Sequence, residues 1–219
     1  MTDPASYDWH SAQEYLESLL PEEVRRLEPE RPPAPAQPLQ PTIGPSAAQL
    51  VDILILAHRP RRVLEIGTSV GYSAIAIGRA LQRVGGRLVT VEIDPRLAEA
   101  AEQNIAEAGM TDSIEVIIDD ANQVIDRLEG PFGLILQDGD KDDYLAMLPR
   151  LVDLLEPHGL LVTDDLLFPV MNLPDSAKRW QYAMGLYNEA LQNRRDLQTV
   201  WLPIGDGVAV SVKVEAPGD

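Results

Sequence analysis

Short apolar runs alternate with amphipathic segments along most of this 219-residue chain. The apolar runs have the length and β-branched content of buried strands, and the segments between them repeat apolar residues three and four positions apart, as on one face of a helix. The pattern predicts strands at 62–66, 87–93, 114–118, 132–137 and 159–164, and helices at 72–83, 95–108, 121–128 and 142–155. Such alternation is typical of an α/β fold with helices on both faces of a parallel sheet.

The last part of the chain predicts a different ending for the sheet. Residues 175–194 have helical composition, and two further apolar runs, 197–202 and 207–214, have the character of strands. The turn between them, Pro-Ile-Gly-Asp at 203–206, is too short for a crossover, so the two strands should form an antiparallel hairpin. The fold predicted is a Rossmann-like, seven-stranded and mostly parallel sheet with a C-terminal antiparallel hairpin.

A helical region and a proline-rich stretch precede this pattern. Residues 11–28 predict a short amphipathic helix that breaks or restarts at Pro21. Residues 29–45 are too rich in proline for regular structure and predict an extended connector. Ser46 is expected to cap the helix that follows at 47–57.

Length and composition narrow the class of protein. The chain is long enough for one well-buried domain, placed at 46–219 after an N-terminal extension of residues 1–45. Its formal net charge of −17 disfavours binding to nucleic acid or to an anionic membrane surface, and no apolar run is long enough to span a membrane. The absence of cysteine excludes disulfides and thiolate chemistry. Because the N-terminus is acidic and polar, unlike a signal peptide, the sequence predicts a soluble cytoplasmic protein.

The run VLEIGTSVGYS, residues 63–73, ends an apolar strand in an acid and continues into a turn with two glycines. Glycines in such a turn let the backbone approach a ligand closely. The segment Gly67–Gly71 matches the nucleophile elbow of α/β hydrolases with Ser69 as nucleophile, and it also resembles a degenerate dinucleotide loop. A third interpretation is the loop of a methyltransferase that uses S-adenosylmethionine (SAM), with Glu65 before the first glycine.

Strand order and histidine positions argue against the hydrolase. An α/β hydrolase has several strands before its nucleophile, whereas Val63 begins the first clear strand of this chain. A catalytic triad of this kind also needs a histidine after Ser69. Only His158 follows, in a turn between a predicted helix and strand. We therefore interpret Ser69 as a loop residue.

Acidic residues collect at the predicted carboxyl ends of the strands, where open α/β sheets bind their ligands. They are Glu65, Glu92, Asp94, Asp119, Asp120, Asp138, Asp140, Asp164 and Asp165. Glu92 has the position from which a carboxylate accepts hydrogen bonds from both hydroxyls of a ribose, in NAD or in SAM. Asp120 and Ala121 are expected beside an adenine, with the small Ala121 leaving room for the ring.

Three of these acids predict a metal site. Asp138, Asp164 and Asp165 follow neighbouring strands, and their charges would repel strongly unless a hard divalent cation such as Mg²⁺ joined them. Beside that cation, the pKa of Lys141 should be lowered, which suits it to remove a proton from a substrate hydroxyl. The alternative is that Lys141 only neutralises Asp138 and Asp142.

Four segments between about residues 41 and 214 carry a more specific signal. They are VLEIGTSVGYSAIAIGRAL, VTVEIDP, LILQDGDKDDYLAMLPRLVDLLEPHGLLVTDDLLF and LPIGDGVAVSVK. These segments resemble successive motifs of the cation-dependent O-methyltransferases, the group that contains the catechol and caffeoyl-coenzyme A O-methyltransferases. The resemblance implies a homodimer that transfers a methyl group from SAM to a hydroxyl of a small vicinal dihydroxy aromatic substrate.

The resemblance also implies roles for single residues. Asp138, Asp164 and Asp165 would hold Mg²⁺, or another divalent cation such as Mn²⁺ or Ca²⁺, and Lys141 would be the general base. Asp138 would serve twice, because it would also face the methionine ammonium of SAM. The remaining SAM contacts would fall on Thr42, Ile43, Glu65, Gly67, Tyr72, Ser73, Glu92, Asp120 and Ala121.

The chain departs from the family pattern at two positions of the predicted site. The family usually has Asn where this chain has Asp165, and a β-branched apolar residue where it has Gln137. An additional carboxylate should strengthen cation binding and weaken acidification of the substrate hydroxyl. Two alternatives therefore stay open: a metal-independent SAM methyltransferase, and a SAM-binding module without turnover.

Substrate choice is expected to depend on the N-terminal extension and on the segment 166–180, which cover the carboxyl edge of the sheet. Phe168, Met171 and Trp180 in that segment are candidates for an aromatic-binding slot.

Overall fold

The computed structural model describes residues 9–25 and 43–215, and within them the strands form one seven-stranded sheet. The strands are β1 (Arg62–Ile66), β2 (Arg87–Glu92), β3 (Ile114–Ile118), β4 (Phe132–Gln137), β5 (Leu155–Thr163), β6 (Leu197–Leu202) and β7 (Val208–Lys213). Their order is β3-β2-β1-β4-β5-β7-β6. Neighbours among β1 to β5 are parallel, while β7 is antiparallel to both β5 and β6. The predicted α/β fold and its reversed C-terminal hairpin are confirmed.

Helices precede the first strand and connect most of the later ones, at or near the predicted bounds. They are α1 (Trp9–Ser18), α2 (Glu22–Arg25), α3 (Pro45–His58), α4 (Tyr72–Val84), α5 (Pro95–Glu107), α6 (Ala121–Arg127), α7 (Tyr144–Leu154) and α8 (Lys178–Gln192). Short 3₁₀ turns at Phe168–Val170 and Asp175–Ala177 precede α8. The predicted break at Pro21 is confirmed, since it falls between α1 and α2. Most of the predicted connector 29–45 lies outside the described residues.

Two local predictions were wrong. Ser46 does not cap α3, because the helix begins at Pro45, two residues earlier than predicted, with Gly44 as the N-cap. Proline suits the first turn, where no backbone donor is needed. Strand β5 begins at Leu155 rather than at residue 159, because Leu155 already pairs with Phe132 before a shift of register.

The sheet is buried on both faces, which explains why its strands are continuous apolar runs. Neighbouring residues of one strand face opposite layers: Leu134 packs with α3, α4 and α5, and Ile135 packs with α6, α7 and α8. Side chains of this size each contribute about 1.5–3 kcal/mol when fully buried. Among the described helices, none combines the length and apolar composition required to cross a membrane.

The order of the strands creates a crevice at one edge of the sheet. The chain runs outward from β1 through β2 to β3, and then returns to place β4 on the other side of β1. The loops that follow β1 and β4 therefore diverge, and ligands of open α/β sheets bind at the carboxyl end of such a switch point.

Candidate active site

The glycine loop after β1 lies directly against the first residues after β4. Gly67 has φ +98°, and a Cβ atom at this position would lie 2.7 Å from the carbonyl carbon of Asp138. The amide of Asp138 donates to the Ile66 carbonyl at 2.9 Å, and those of Gly67 and Thr68 donate to the Val91 carbonyl. Only glycine fits both the backbone angle and this close approach. The loop and the predicted metal-binding residue Asp138 are thus held together.

A cavity of about 320 Å³ opens beside this loop. Nine of the residues predicted to bind SAM or to act in catalysis line it: Ile43, Gly67, Tyr72, Ser73, Glu92, Asp120, Ala121, Asp138 and Lys141. Three other predicted residues, Glu65, Asp164 and Asp165, are buried and do not line the cavity. Thr42 lies outside the described residues.

The two acids predicted to hold a nucleoside are oriented by backbone donors. Glu92 accepts from the Ser69 amide at 2.8 Å through one oxygen and from the Asp94 amide at 2.9 Å through the other. Burial raises its pKa despite these bonds. Asp120 is the N-cap of α6 and accepts from the Asn122 amide at 2.9 Å. Ser69 therefore helps to orient a carboxylate through its backbone amide, which agrees with its interpretation as a loop residue.

Glu65 is fully buried beneath the glycine loop and belongs to a chain of hydroxyl groups. Thr90 donates to its Oε2 atom at 2.5 Å, so the Thr90 oxygen accepts in turn from the Thr68 hydroxyl at 2.5 Å. Burial raises the pKa of Glu65 from 4.5 to about 7, although hydrogen bonds from Ser73 and Thr90 act to lower it. The fold therefore disfavours the charged form of this carboxyl group.

The ammonium group of Lys141 lies between two of the predicted metal ligands. Its Nζ atom is 3.0 Å from Asp138 Oδ1 and 2.5 Å from Asp165 Oδ2, and it donates to the Gly139 carbonyl at 2.9 Å. Asp165 has φ 68°, an uncommon left-handed conformation for a residue other than glycine. Strained backbone of this kind concentrates at functional sites.

The protein's own groups do not lower the pKa of Lys141, which was expected to fall beside a bound cation. Burial acts to lower this pKa, but Tyr144, Asp138 and Asp165 outweigh burial and raise it well above its ordinary value. The prediction concerned Lys141 beside a bound cation, and for that state it stays a prediction. Without the charge of that cation, the two carboxylates stabilise the ammonium form.

The charged form of the third predicted ligand, Asp164, is strongly disfavoured in the folded protein. Burial raises its pKa to about 8, with repulsion from Asp138 and Asp165 adding to the effect. Burial likewise raises the pKa of Asp138 to about 6. Asp206, in the turn between β6 and β7, adds a fourth acid that the sequence analysis missed, and burial and the charge of Asp165 raise its pKa as well.

This donor set fits a hard divalent cation. Several carboxyl groups are buried together beside a single ammonium group, and carboxylate oxygens are the preferred ligands of Mg²⁺. Within the described residues, however, no three acidic or histidine side chains already surround a common point as metal ligands do. The types of residue therefore suit a cation, while in the structure Asp138 and Asp165 contact the Lys141 ammonium group.

One of the three residues proposed for the aromatic-binding slot lines the cavity. Trp180 lines it, as do Asp140 and Lys141. Phe168 is buried behind Trp180, with ring centroids 6.2 Å apart, and Met171 packs into the core on the same side. Phe168 and Met171 therefore support the wall that Trp180 forms and do not line the cavity themselves.

A glycine loop after β1, an oriented acid after β2 and a reversed last strand define the class I methyltransferase type of Rossmann-like fold. Residues 10–214 match the family model described as O-methyltransferase. The chain belongs to this O-methyltransferase family.

Known relatives agree with this assignment. The catechol O-methyltransferase of Niastella koreensis is 33% identical over 130 residues, which cover 58% of this chain and 58% of that protein. The caffeoyl-CoA O-methyltransferase of Stellaria longipes is 26% identical over 210 residues, or 90% of this chain and 87% of that protein. The O-methyltransferase TomG from Streptomyces achromogenes, crystallised in complex with SAM, has a TM-score of 0.73 at 26% identity and covers 93% of this chain and 96% of its own.

Proposed function

We propose that this protein transfers a methyl group from SAM to one hydroxyl of a small catechol-like substrate, with the help of Mg²⁺ or a similar divalent cation. The observation that carries the proposal is the group of Asp138, Asp164 and Asp165 beside Lys141, whose side chains are almost fully shielded from solvent. Asp138 and Lys141 line a cavity whose other residues suit SAM. Membership of the O-methyltransferase family supports the reaction type.

Each part of the cavity has a task in this proposal. Glu92 would accept hydrogen bonds from the ribose hydroxyls, and Asp120 and Ala121 would lie beside the adenine. Asp138 would face the methionine ammonium, which brings the methyl group towards Lys141. SAM supplies the methyl group as an electrophile bound to a sulfonium centre.

The residues near Lys141 would prepare the substrate. The three carboxylates would hold the cation, which when bound lowers the pKa of a coordinated hydroxyl. Lys141, held in place by Asp138 and Asp165, would take the proton from that hydroxyl in its neutral form, which the charge of a bound cation would favour. Trp180 would fix the plane of the ring. Position and charge would then perform most of the catalysis, and no covalent enzyme intermediate is needed.

One observation favours a second candidate, a methyltransferase that works without metal. The Lys141 ammonium already bridges Asp138 and Asp165, so a lysine carries the positive charge that a cation would otherwise supply. The third candidate is a SAM-binding module without turnover, for which the departures at Asp165 and Gln137 are the reason.

Methyl transfer to caffeic acid, measured with and without EDTA, separates these candidates. Turnover that EDTA abolishes and Mg²⁺ restores is expected. Turnover that persists in EDTA would replace our proposal with the metal-independent enzyme. Binding of SAM without turnover on a broad panel of catechols would indicate the third candidate. Homodimer formation and a cytoplasmic location stay predictions from the sequence, as does the division into extension 1–45 and domain 46–219.

A further inference from the structure

A buried polar network lies directly beneath the candidate active site. Gln137, the last residue of β4, is fully buried, and its Oε1 atom accepts from the Tyr187 hydroxyl at 2.9 Å. The Tyr187 oxygen lies 2.9 Å from the hydroxyl of Thr163, the last residue of β5. The Gln137 Nε2 atom donates to the Tyr144 carbonyl at 3.2 Å. The network therefore joins two neighbouring strand ends to the first residue of α7 and to the middle of α8.

The donors and acceptors of this network can be arranged in only one direction. Tyr187 has a single hydroxyl proton and gives it to Gln137, so Thr163 must donate to the Tyr187 oxygen. Burial raises the pKa of Tyr187 above its ordinary value, so the phenol keeps this proton at neutral pH. The Tyr144 hydroxyl donates to the Gln137 main-chain carbonyl at 3.1 Å. Four hydrogen bonds thus link the four residues, and the two bonds between side chains restrict the rotamers of Thr163, Tyr187 and Gln137.

Every proposed catalytic group is adjacent to this network. Asp138 follows Gln137, and Asp164 follows Thr163, in two strands that pair at Gln137 and Thr163. The Asp164 amide donates to the Gln137 carbonyl at 3.3 Å. The Lys141 Nζ atom lies 5.2 Å from the centre of the Tyr144 ring. A displacement of Gln137 would therefore move both carboxylates and the lysine together.

A core residue at this position does not require hydrogen bonds. An apolar side chain would fill the same space between α7 and α8 without the cost of burying an amide. The buried Gln137 is useful only if the direction of its bonds matters, since apolar packing fixes position less strictly than a set of satisfied hydrogen bonds.

We infer that Gln137, Tyr187 and Thr163 are positioning residues, which hold the Asp138 and Asp164 carboxylates and Lys141 at the spacing that cation binding and methyl transfer need. The inference rests on the function proposed above. It predicts effects on turnover and on cation affinity. SAM would be affected only through Asp138 at its methionine end, since Glu92, Asp120 and Ala121 lie outside the network.

The test compares Tyr187→Phe with Tyr182→Phe, an exposed tyrosine of the same helix. Tyr187→Phe keeps the ring, which packs edge-on against Tyr144, and removes only the hydroxyl. We expect kcat to fall about fivefold to tenfold, with the affinity for Mn²⁺ weakened by a similar factor and the KM for SAM changed less than twofold. Tyr182→Phe should behave as wild type. Wild-type kcat and Mn²⁺ affinity in Tyr187→Phe would overturn the inference.

A second pair of variants separates positioning from stability. The double variant Gln137→Met with Tyr187→Phe replaces both partners of the Gln137–Tyr187 bond by apolar groups of similar shape, which should restore part of the stability lost in either single variant. Positioning predicts that kcat and Mn²⁺ affinity stay reduced in this stable double variant. Recovery of both together with the melting temperature would show a merely structural role. If Tyr187→Phe does not fold, Thr163→Val decides the case at the other end of the network.

Hydrogen exchange keeps this test independent of the proposed reaction. A wild-type protein that methylates no diol would refute the proposed function but leave the network to be tested. The amides of Asp138 and Asp164 both donate to backbone carbonyls of the strand ends. They should exchange faster in Tyr187→Phe than in Tyr182→Phe, and equal exchange in the two variants would overturn the inference even in an inactive protein.

Discussion

Replacement of the buried Glu65 by glutamine should stabilise the protein at alkaline pH and not at acidic pH. Glu65 is fully buried, and burial raises its pKa from 4.5 to about 7. Glutamine has nearly the same shape and can accept from Thr90 as the carboxylate does. It cannot ionise, so any difference between the two proteins that changes with pH belongs to the charge of Glu65.

The size of the effect follows from the pKa. Below pH 4.5 the carboxyl group is protonated in both the folded and the unfolded chain, and its burial costs no ionisation. Between pH 4.5 and about 7 the unfolded chain releases the proton while the folded chain keeps it, so stability falls as pH rises. The loss is complete about one unit above the folded pKa of about 7. One pKa unit corresponds to about 1.4 kcal/mol, so the full loss is about 3 kcal/mol.

Urea denaturation of both proteins at pH 5, 6, 7 and 8 measures this difference. The unfolding free energy of Glu65→Gln should rise by about 2–3 kcal/mol relative to wild type between pH 5 and pH 8. Glu102→Gln, an exchange at an exposed site on α5, controls for the loss of one negative charge. An advantage of Glu65→Gln that is the same at pH 5 and pH 8, or an advantage of wild type at pH 8, would refute this reasoning.

Three further exchanges test the site. Lys141→Met should lower kcat by about 10²–10⁴-fold without weakening SAM binding, as measured by radiolabelled methyl transfer and calorimetry; turnover near wild type would exclude Lys141 as the general base. Gly67→Ala should lower the unfolding free energy by more than about 2 kcal/mol, because its Cβ atom would meet the Asp138 backbone. Gly185→Ala, a helical position with open space around it, is the matched control and should not destabilise. Asp165→Asn removes one carboxylate that raises the Lys141 pKa, so the rising limb of the kcat–pH profile should move to lower pH. The affinity for Mn²⁺ should fall as well. An unchanged profile would contradict the ion pair between Lys141 and Asp165.

Most of the sheet could be predicted from the sequence, because buried parallel strands are continuous apolar runs and the connecting helices are amphipathic. The start of β5 could not, since Leu155 joins the sheet only through its pairing with Phe132, a contact that no local pattern reveals. The start of α3 was missed for a local reason: Ser46 is a good N-cap by type, but Pro45 before it already has the backbone angle of a first helical turn.

The candidate site, like the sheet, could be predicted only in part from the sequence. The acids after each strand could be placed together, because parallel topology brings the carboxyl ends of neighbouring strands to one edge. The partners of Lys141 depend on side-chain rotamers, and the bond between Tyr187 and Gln137 joins residues 50 positions apart. Asp206 could have been found from topology, because β7 is antiparallel to β5 and therefore begins at the edge where β5 ends.

The charges of this site explain why such an arrangement is kept at a cost in stability. Burial raises the pKa values of Glu65, Asp138 and Asp164, so each of them destabilises the folded chain as pH rises. Lys141 compensates only part of that charge. A site of this kind is already desolvated and fixed by the fold before any ligand arrives, and an incoming positive charge gains more from it than from solvated surface carboxylates. SAM carries a sulfonium and an ammonium group, and a divalent cation carries two charges. Binding of SAM or of a divalent cation should therefore lower the pKa values of these three carboxyl groups and release protons near neutral pH. The gain in unfolding free energy should be largest at alkaline pH, where the protein without ligand is least stable.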